Sequence, residues 1–95
     1  MDNFEYDIEK SQANKVKHSL DFEQAKLLWD DAYVIELSSK QTQGKDRFLL
    51  LGKIKHRHYT AIITYRGTNI RIISVRSSRK NEVKFYESNR FRQEV

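Results

Sequence analysis

The chain has 95 residues, 38% of them hydrophobic, with five Tyr, five Phe and one Trp, enough for one small core and hence one domain over residues 1–95. It has no Cys, so disulfides and Cys-based zinc sites are excluded, and no Pro and only three Gly, so no linker or low-complexity segment is expected. The net charge of +5 is unevenly spread: Met1–Gln43 balances to −4 and Gly44–Arg90 to +9. In the basic segment Arg and Lys alternate with Tyr, Phe and Ile. That pattern is either a solvated surface or a patch of positive potential whose natural counter-charge is a phosphate backbone. No apolar run approaches the ~20 residues of a membrane span. Met1–Tyr6 carries two acids and no basic stretch, so no secretory signal is expected and a cytoplasmic location is.

Phe4–Tyr6 reads as a short extended piece. Asp7 is a suitable N-cap for a first helix from Ile8 to about Lys17, with Glu9 favourably placed in its first turn. Asp21 and Gln24 have the spacing of a capping box that opens a second helix. There Phe22, Ala25 and Trp29 form one apolar stripe, ending near Asp30, with Leu20 placed to staple onto Ala25. The period then changes. Ala32–Leu37 reads as a strand, Ser38–Lys45 as a polar loop, and Arg47–Lys55 and Tyr59–Tyr65 as alternating strands. Arg66-Gly67-Thr68-Asn69 is a turn before a strand over Ile70–Arg76. Short turns join these strands into an antiparallel meander. Ser77 or Ser78 then caps a last helix with Val83, Tyr86 and Phe85 facing inward. The expected class is α+β: two N-terminal helices, an antiparallel meander and a C-terminal helix.

Three places have the residues for chemistry. Lys17-His18 ends the first helix, where the dipole favours cations. The pair is either a cap, or His18 acts as a general acid or base with Lys17 on a phosphate. In Arg71-Ile72-Ile73-Ser74-Val75-Arg76, alternation puts Arg76 with Ser74 and Ile72, and Arg71 on the opposite face. Glu82 and Tyr86 share one face of the last helix at i and i+4. Arg76 and Glu82 therefore form either a structural salt bridge or a phosphate-holding arginine oriented by a carboxylate. His56-Arg57-His58 lies in or near a hairpin turn; with no third ligand nearby it reads as an exposed turn rather than a metal site. Ser74, Ser77 and Ser78 have no base arranged in sequence, so covalent catalysis has no support.

The series Phe4-x-Tyr6-Asp7-x-x-Lys10-x-x-x-Asn14-x-x-Lys17-His18-x-Leu20-x-Phe22-x-x-Ala25-x-x-x-Trp29-x-Asp31 resembles the opening signature of BrnT-type toxins. These are ribonuclease toxins of a type II toxin–antitoxin system with a RelE-like fold. The resemblance continues through Asp46-Arg47-Phe48, Gly52, Arg71–Arg76, Glu82 and Tyr86. This chain has Tyr6 where the family usually has Trp, Asp21 where it has Ser, and Ser78, which adds a hydroxyl near the presumed site, where it has Ala.

The resemblance implies a metal-independent, cofactor-free endoribonuclease in which the RNA 2′-OH attacks the adjacent phosphorus. It puts Arg76 and Arg47 on the phosphate, with Glu82 orienting Arg76. His18 or Lys17 assists proton transfer, and Tyr86 positions the base or scissile group. The implied partners are RNA and a ribbon-helix-helix antitoxin, in a heterotetramer built on an antitoxin dimer that binds operator DNA. Two rival readings remain from the residues. One is a non-catalytic module that binds an antitoxin and tunes operator binding, and the other is a stand-alone nucleic-acid-binding domain.

Overall fold

The computed structural model describes residues 3–39 and 46–94. In chain order its elements are β1 (Asn3–Glu5), α1 (Ile8–His18), α2 (Phe22–Ala25) with a 3₁₀ continuation (Lys26–Asp30), β2 (Ile35–Ser39), β3 (Arg47–Ile54), β4 (Arg57–Arg66), β5 (Asn69–Ser77) and α3 (Lys80–Glu94). The strands form one sheet in the order β1-β5-β4-β3-β2. From β2 to β5 it is the expected antiparallel meander, but β1 pairs in parallel with β5, Phe4 opposite Ile70, so the sheet is mixed. A three-residue strand gives little local signal for such a distant partner. Among the described residues no helix is long and apolar enough to cross a membrane.

Local chemistry fixes the first two helices as expected. The Asp7 carboxylate accepts from the backbone N–H groups of Glu9 and Lys10, and Ser19 ends α1 in the left-handed conformation. Asp21 and Gln24 close a full capping box on α2. Leu20, just before that cap, is buried in the same cluster as Ala25. After Ala25 the helix tightens to 3₁₀, so the buried stripe runs Phe22, Ala25, Leu28 at a period of three, and Trp29 is half-buried. The second strand starts later than its composition suggests. The Asp31 carboxylate accepts from the Tyr33 N–H and the Asp31 carbonyl from the Val34 N–H, holding 31–34 in a turn. Ser38 and Ser39, expected in a loop, belong to β2; Lys40–Lys45 lie outside the described residues.

One face of the sheet carries Leu50, Tyr59, Ala61, Ile63, Ile70, Ile72 and Val75, packed with Leu20, Phe22, Ala25 and Leu28 into the hydrophobic core. Phe4 packs edge-on against Trp29 and Tyr6 against Phe22, tying β1 and the segment after it to this layer. Helix α1 contributes little apolar area, its buried residues being Ser11 and Asn14. Ser11 Oγ instead accepts from the Phe22 N–H, and Asn14 bridges the Leu20 carbonyl and the Val75 N–H, along the edge of β5 beyond the end of β1.

A β-bulge sets the second face. Ile62 and Ile63 of β4 pair with Ser74 and Ile72, leaving Ile73 as an extra residue in β5. An extra residue inverts the inward and outward alternation beyond it. Arg71 (opposite Thr64) and Arg76 (opposite Thr60) thus share a face, and Ile72 lies on the core side with Val75. This corrects the reading of β5 by strict alternation, which paired Ile72 with Arg76 and sent Arg71 to the other side. The bonds that α3 makes to the sheet fall on one half of this second face, around Thr60 and His58.

Candidate active site

Arg76 ends the outward-facing row of β5, and Glu82 sits in the first turn of α3. The two make a bidentate pair, Arg76 Nη1 to Oε1 at 2.8 Å and Nη2 to Oε2 at 2.9 Å. Glu82 Oε1 also accepts from the Arg79 backbone N–H at 2.7 Å and from the Thr60 hydroxyl at 2.9 Å. Three of these four bonds converge on Oε1, and Oε2 takes the one from Arg76 Nη2. The bonds to Arg76 above all, then those to Arg79 and Thr60, outweigh burial and hold the Glu82 carboxyl at a pKa of about 2. Glu82 is therefore anionic at neutral pH and orients Arg76 through both of its oxygens. Arg76 spends two Nη1 protons on Glu82 and the Ser77 carbonyl and one Nη2 proton on Glu82. A guanidinium has five donors, so two remain for an anion.

The start of α3 differs from expectation. Ser77 belongs to β5, and Arg79 precedes the first helical residue. Glu82, at the third helical position, reaches back to the Arg79 N–H as the acidic half of a capping box. Ser78 instead turns its hydroxyl to Thr60 at 2.8 Å. Because the Thr60 proton goes to Glu82, Ser78 is the donor in that bond. Its added hydroxyl therefore extends the network around Glu82. Phe85, expected to face inward, is 44% exposed, whereas Tyr86 is buried.

Tyr86 shares the helical face of Glu82, as its spacing required, yet does different work. Its hydroxyl donates to Asp31 Oδ2 at 2.6 Å, and that oxygen also accepts from the Lys53 N–H at 2.9 Å. Burial first, and the Asp31 carboxylate second, push the Tyr86 phenol far above its ordinary pKa, while at Asp31 burial, which raises the pKa, is outweighed by three donors that together hold it below the usual carboxylate value. The pair pins α3 to the turn before β2. Beside it, His58 Nε2 lies 2.6 Å from Glu87 Oε2, and the His58 ring meets Tyr86 edge-on. His58 is therefore a packed strand residue; the exposed hairpin turn is Lys55–His56.

The remaining candidates lie around this cluster. Lys10 shares a groove with Arg71, and Asn14 reaches Val75, so α1 runs alongside β5 in the same direction. Its last turn carries Lys17, exposed, and His18, half-buried, toward the end of β5 that holds Arg76. Neither makes a hydrogen bond or ion pair among the described residues. Arg47 lies elsewhere. It lines a groove of about 730 Å³ with Lys10, Thr64, Arg66 and Arg71, at the end of the sheet away from α3. Arg76 and Glu82 are thus brought together, Lys17 and His18 approach the same end of β5, and Arg47 and the Tyr86 hydroxyl stand apart.

Sequence reading missed Thr60 and Asp31. Thr60 is marked only by falling between the core residues Tyr59 and Ala61 on a strand, which turns it toward the other face. Asp31 is marked by its position after the helical stripe, where a carboxylate favours a turn. Among the described residues no group of three or more His, Asp or Glu side chains could hold a metal ion.

Comparison with curated proteins gives no match. The model of one family, described as the ribonuclease toxin BrnT of type II toxin–antitoxin systems, matches residues 6–82. That span runs from Tyr6, just after β1, to Glu82 itself, and takes in α1, α2 and the strands β2 to β5 but only the first turn of α3. The chain therefore belongs to the BrnT family of ribonuclease toxins, whose systems pair each toxin with an antitoxin.

Proposed function

We propose that this chain is a metal-independent endoribonuclease with a RelE-like fold, arresting growth by cutting RNA until a ribbon-helix-helix antitoxin neutralises it. The observation that carries this reading is the Arg76–Glu82 pair. A guanidinium locked by a buried carboxylate keeps two donors free at the boundary between sheet and helix, in the basic half of the chain. Such a fixed cation suits a phosphorus centre that gains negative charge, because its orientation needs no rearrangement during the reaction.

In this mechanism the 2′-OH attacks the adjacent phosphorus and the bond to the 5′-oxygen breaks. The products are a 2′,3′-cyclic phosphate and a 5′-hydroxyl. Arg76 holds the non-bridging oxygens. Glu82 and, through it, Thr60 and Ser78 hold Arg76. His18 or Lys17 carries the proton taken from the 2′-OH or given to the 5′-oxygen. The phenol of Tyr86, bound to Asp31, takes no part in proton transfer and serves to seat α3, which positions Glu82. The antitoxin, as a dimer, would carry two toxin copies in a heterotetramer and bring the complex to operator DNA.

The test is product-end analysis. Purified protein is incubated with a labelled single-stranded RNA and with the same strand bearing 2′-O-methyl groups. Cyclic phosphate ends from the first and no cleavage of the second support the mechanism. Cleavage of the methylated strand, or 5′-phosphate products, would exclude attack by the 2′-OH.

A further inference from the structure

The second face of the sheet carries two separate cationic clusters. At one end Arg76 is bound to Glu82. At the other, Arg47, Arg66 and Arg71 line a groove with Lys10 at its rim, against the carboxylates of Glu5 and Asp46. The bulge at Ile73 is what turns Arg71 to the side of Arg76. Their partners on β4, Thr60 and Thr64, are four residues apart, or about 13 Å at ~3.3 Å per residue. The guanidiniums are also drawn apart, Arg71 toward Glu5 on β1 and Arg76 toward Glu82 on α3. One phosphate therefore does not meet both. Arg71 gives one donor to Glu5, and the Arg47 guanidinium has no hydrogen-bond or ion-pair partner among the described residues.

We propose that Arg47 and Arg71, with Lys10 at the rim, form a second phosphate site, so that one RNA strand lies across this face with its scissile phosphate at Arg76 and another phosphate in the far groove. The proposal rests on the reading of Arg76 as the scissile-phosphate ligand. Between the two clusters the face offers Ile62 and Ser74, a half-buried and uncharged strip suited to bases rather than to phosphates. A single strand fits this layout, since its unpaired bases are free to turn toward the sheet. The far groove then supplies affinity and register, and Arg76 supplies the chemistry.

The test is binding of labelled 2′-O-methyl oligoribonucleotides of two and eight nucleotides, which lack the attacking hydroxyl. Wild type, Arg47→Ala, Arg47→Glu and, as a basic residue outside the groove, Arg57→Ala are compared, with cleavage of unmodified RNA followed in parallel. The affinity gained from two to eight nucleotides should shrink at least fivefold in Arg47→Ala and further in Arg47→Glu, but not in Arg57→Ala. The salt dependence of eight-nucleotide binding should fall by about 0.7 in slope for the lost phosphate contact. An Arg47→Ala protein that melts like wild type and binds the eight-nucleotide strand equally well overturns the second site, whether or not wild type cuts RNA. Equal losses on both lengths also overturn it, by placing Arg47 at the scissile phosphate. If binding depends on Arg47 as expected but wild type cuts nothing, the strand-binding face stands and the proposed cleavage falls.

Discussion

Arg71 and Arg76 lie on one face of the sheet although five positions separate them, because Ile73 is bulged out of the pairing between β4 and β5. The bulge makes β5 a two-sided element. Ile70, Ile72 and Val75 point into the core, while both arginines face the side on which α3 docks. If Ile73 were instead paired in an unbroken ladder, one arginine would have to be buried among Phe22, Leu50 and Ile63, or the core would lose an isoleucine. Deleting Ile73 leaves Ile70, Arg71, Ile72, Ser74, Val75 and Arg76 in strict alternation on their present faces, so the variant should still melt cooperatively. Inserting one residue between Ser74 and Val75 should instead turn Val75 out of the core and abolish cooperative melting. An insertion that melts like wild type would show that the register of β5 is not fixed by this pairing.

Glu82 links stability to pH. Its pKa of about 2 in the folded chain lies below the ordinary carboxylate value of 4.5, so its contribution is complete above pH 4.5 and is lost as pH falls toward 2. The shift corresponds to about 3 kcal/mol at neutral pH. Glu82→Gln should melt well below wild type at pH 7, and the gap should narrow between about pH 4.5 and pH 2. A gap that stays constant over this range would show that the pair with Arg76 does not supply the stability.

Tyr86→Phe separates seating from chemistry. The variant keeps the ring against His58 but leaves Asp31 with only its two backbone donors. Losing one hydrogen bond to a charged group costs about 1.5–3 kcal/mol, which lowers the melting temperature by roughly 6–24 °C in a domain of this size. The turnover rate at a temperature where the variant is folded should change little. A folded Tyr86→Phe protein with a turnover rate down by orders of magnitude would return the phenol to the reaction.

RNA cleavage should persist in excess chelator, since the cations in the proposed mechanism are side chains. Activity lost to chelation and restored by Mg²⁺ or Zn²⁺ would replace this mechanism with a metal-assisted one.

The antitoxin should cover the basic face, raise the melting temperature of the toxin and abolish its RNA binding. A partner that binds only the folded toxin adds about 2.7 kcal/mol of apparent stability when its free concentration is 100 times Kd. A complex that melts higher yet cleaves RNA at the full rate would place the antitoxin on another surface.

Features set by neighbouring residues were legible in the sequence. Asp7 and the Asp21–Gln24 box announce helix starts because their bonds close within three residues. The hairpin at Gly67 was legible because its φ of +60° suits glycine. Features set by distant pairing were not. Alternation in Arg71–Arg76 fits an unbroken strand, and only the pairing with β4 exposes the extra residue. Periodicity in Phe22–Trp29 does not distinguish a full α-helix from one that tightens to 3₁₀, so Trp29 was preferred to Leu28. For the site, Arg76 and Glu82 were legible because a strand end and the next helix start must be neighbours. Arg47 was not, since its place depends on which residues of β4 and β5 it meets across the sheet.

The central claim is that Arg76 is the cation on the scissile phosphate, and cleavage by a folded Arg76→Ala protein tests it most directly. Initial rates on a single-stranded RNA are measured for wild type and variant, with a thermal melt of each and, where the antitoxin is at hand, a check that the complex still forms. Removing a preorganised cation from the site should lower the rate at least ~100-fold. An Arg76→Ala protein that is folded and cleaves RNA at the wild-type rate would contradict the account.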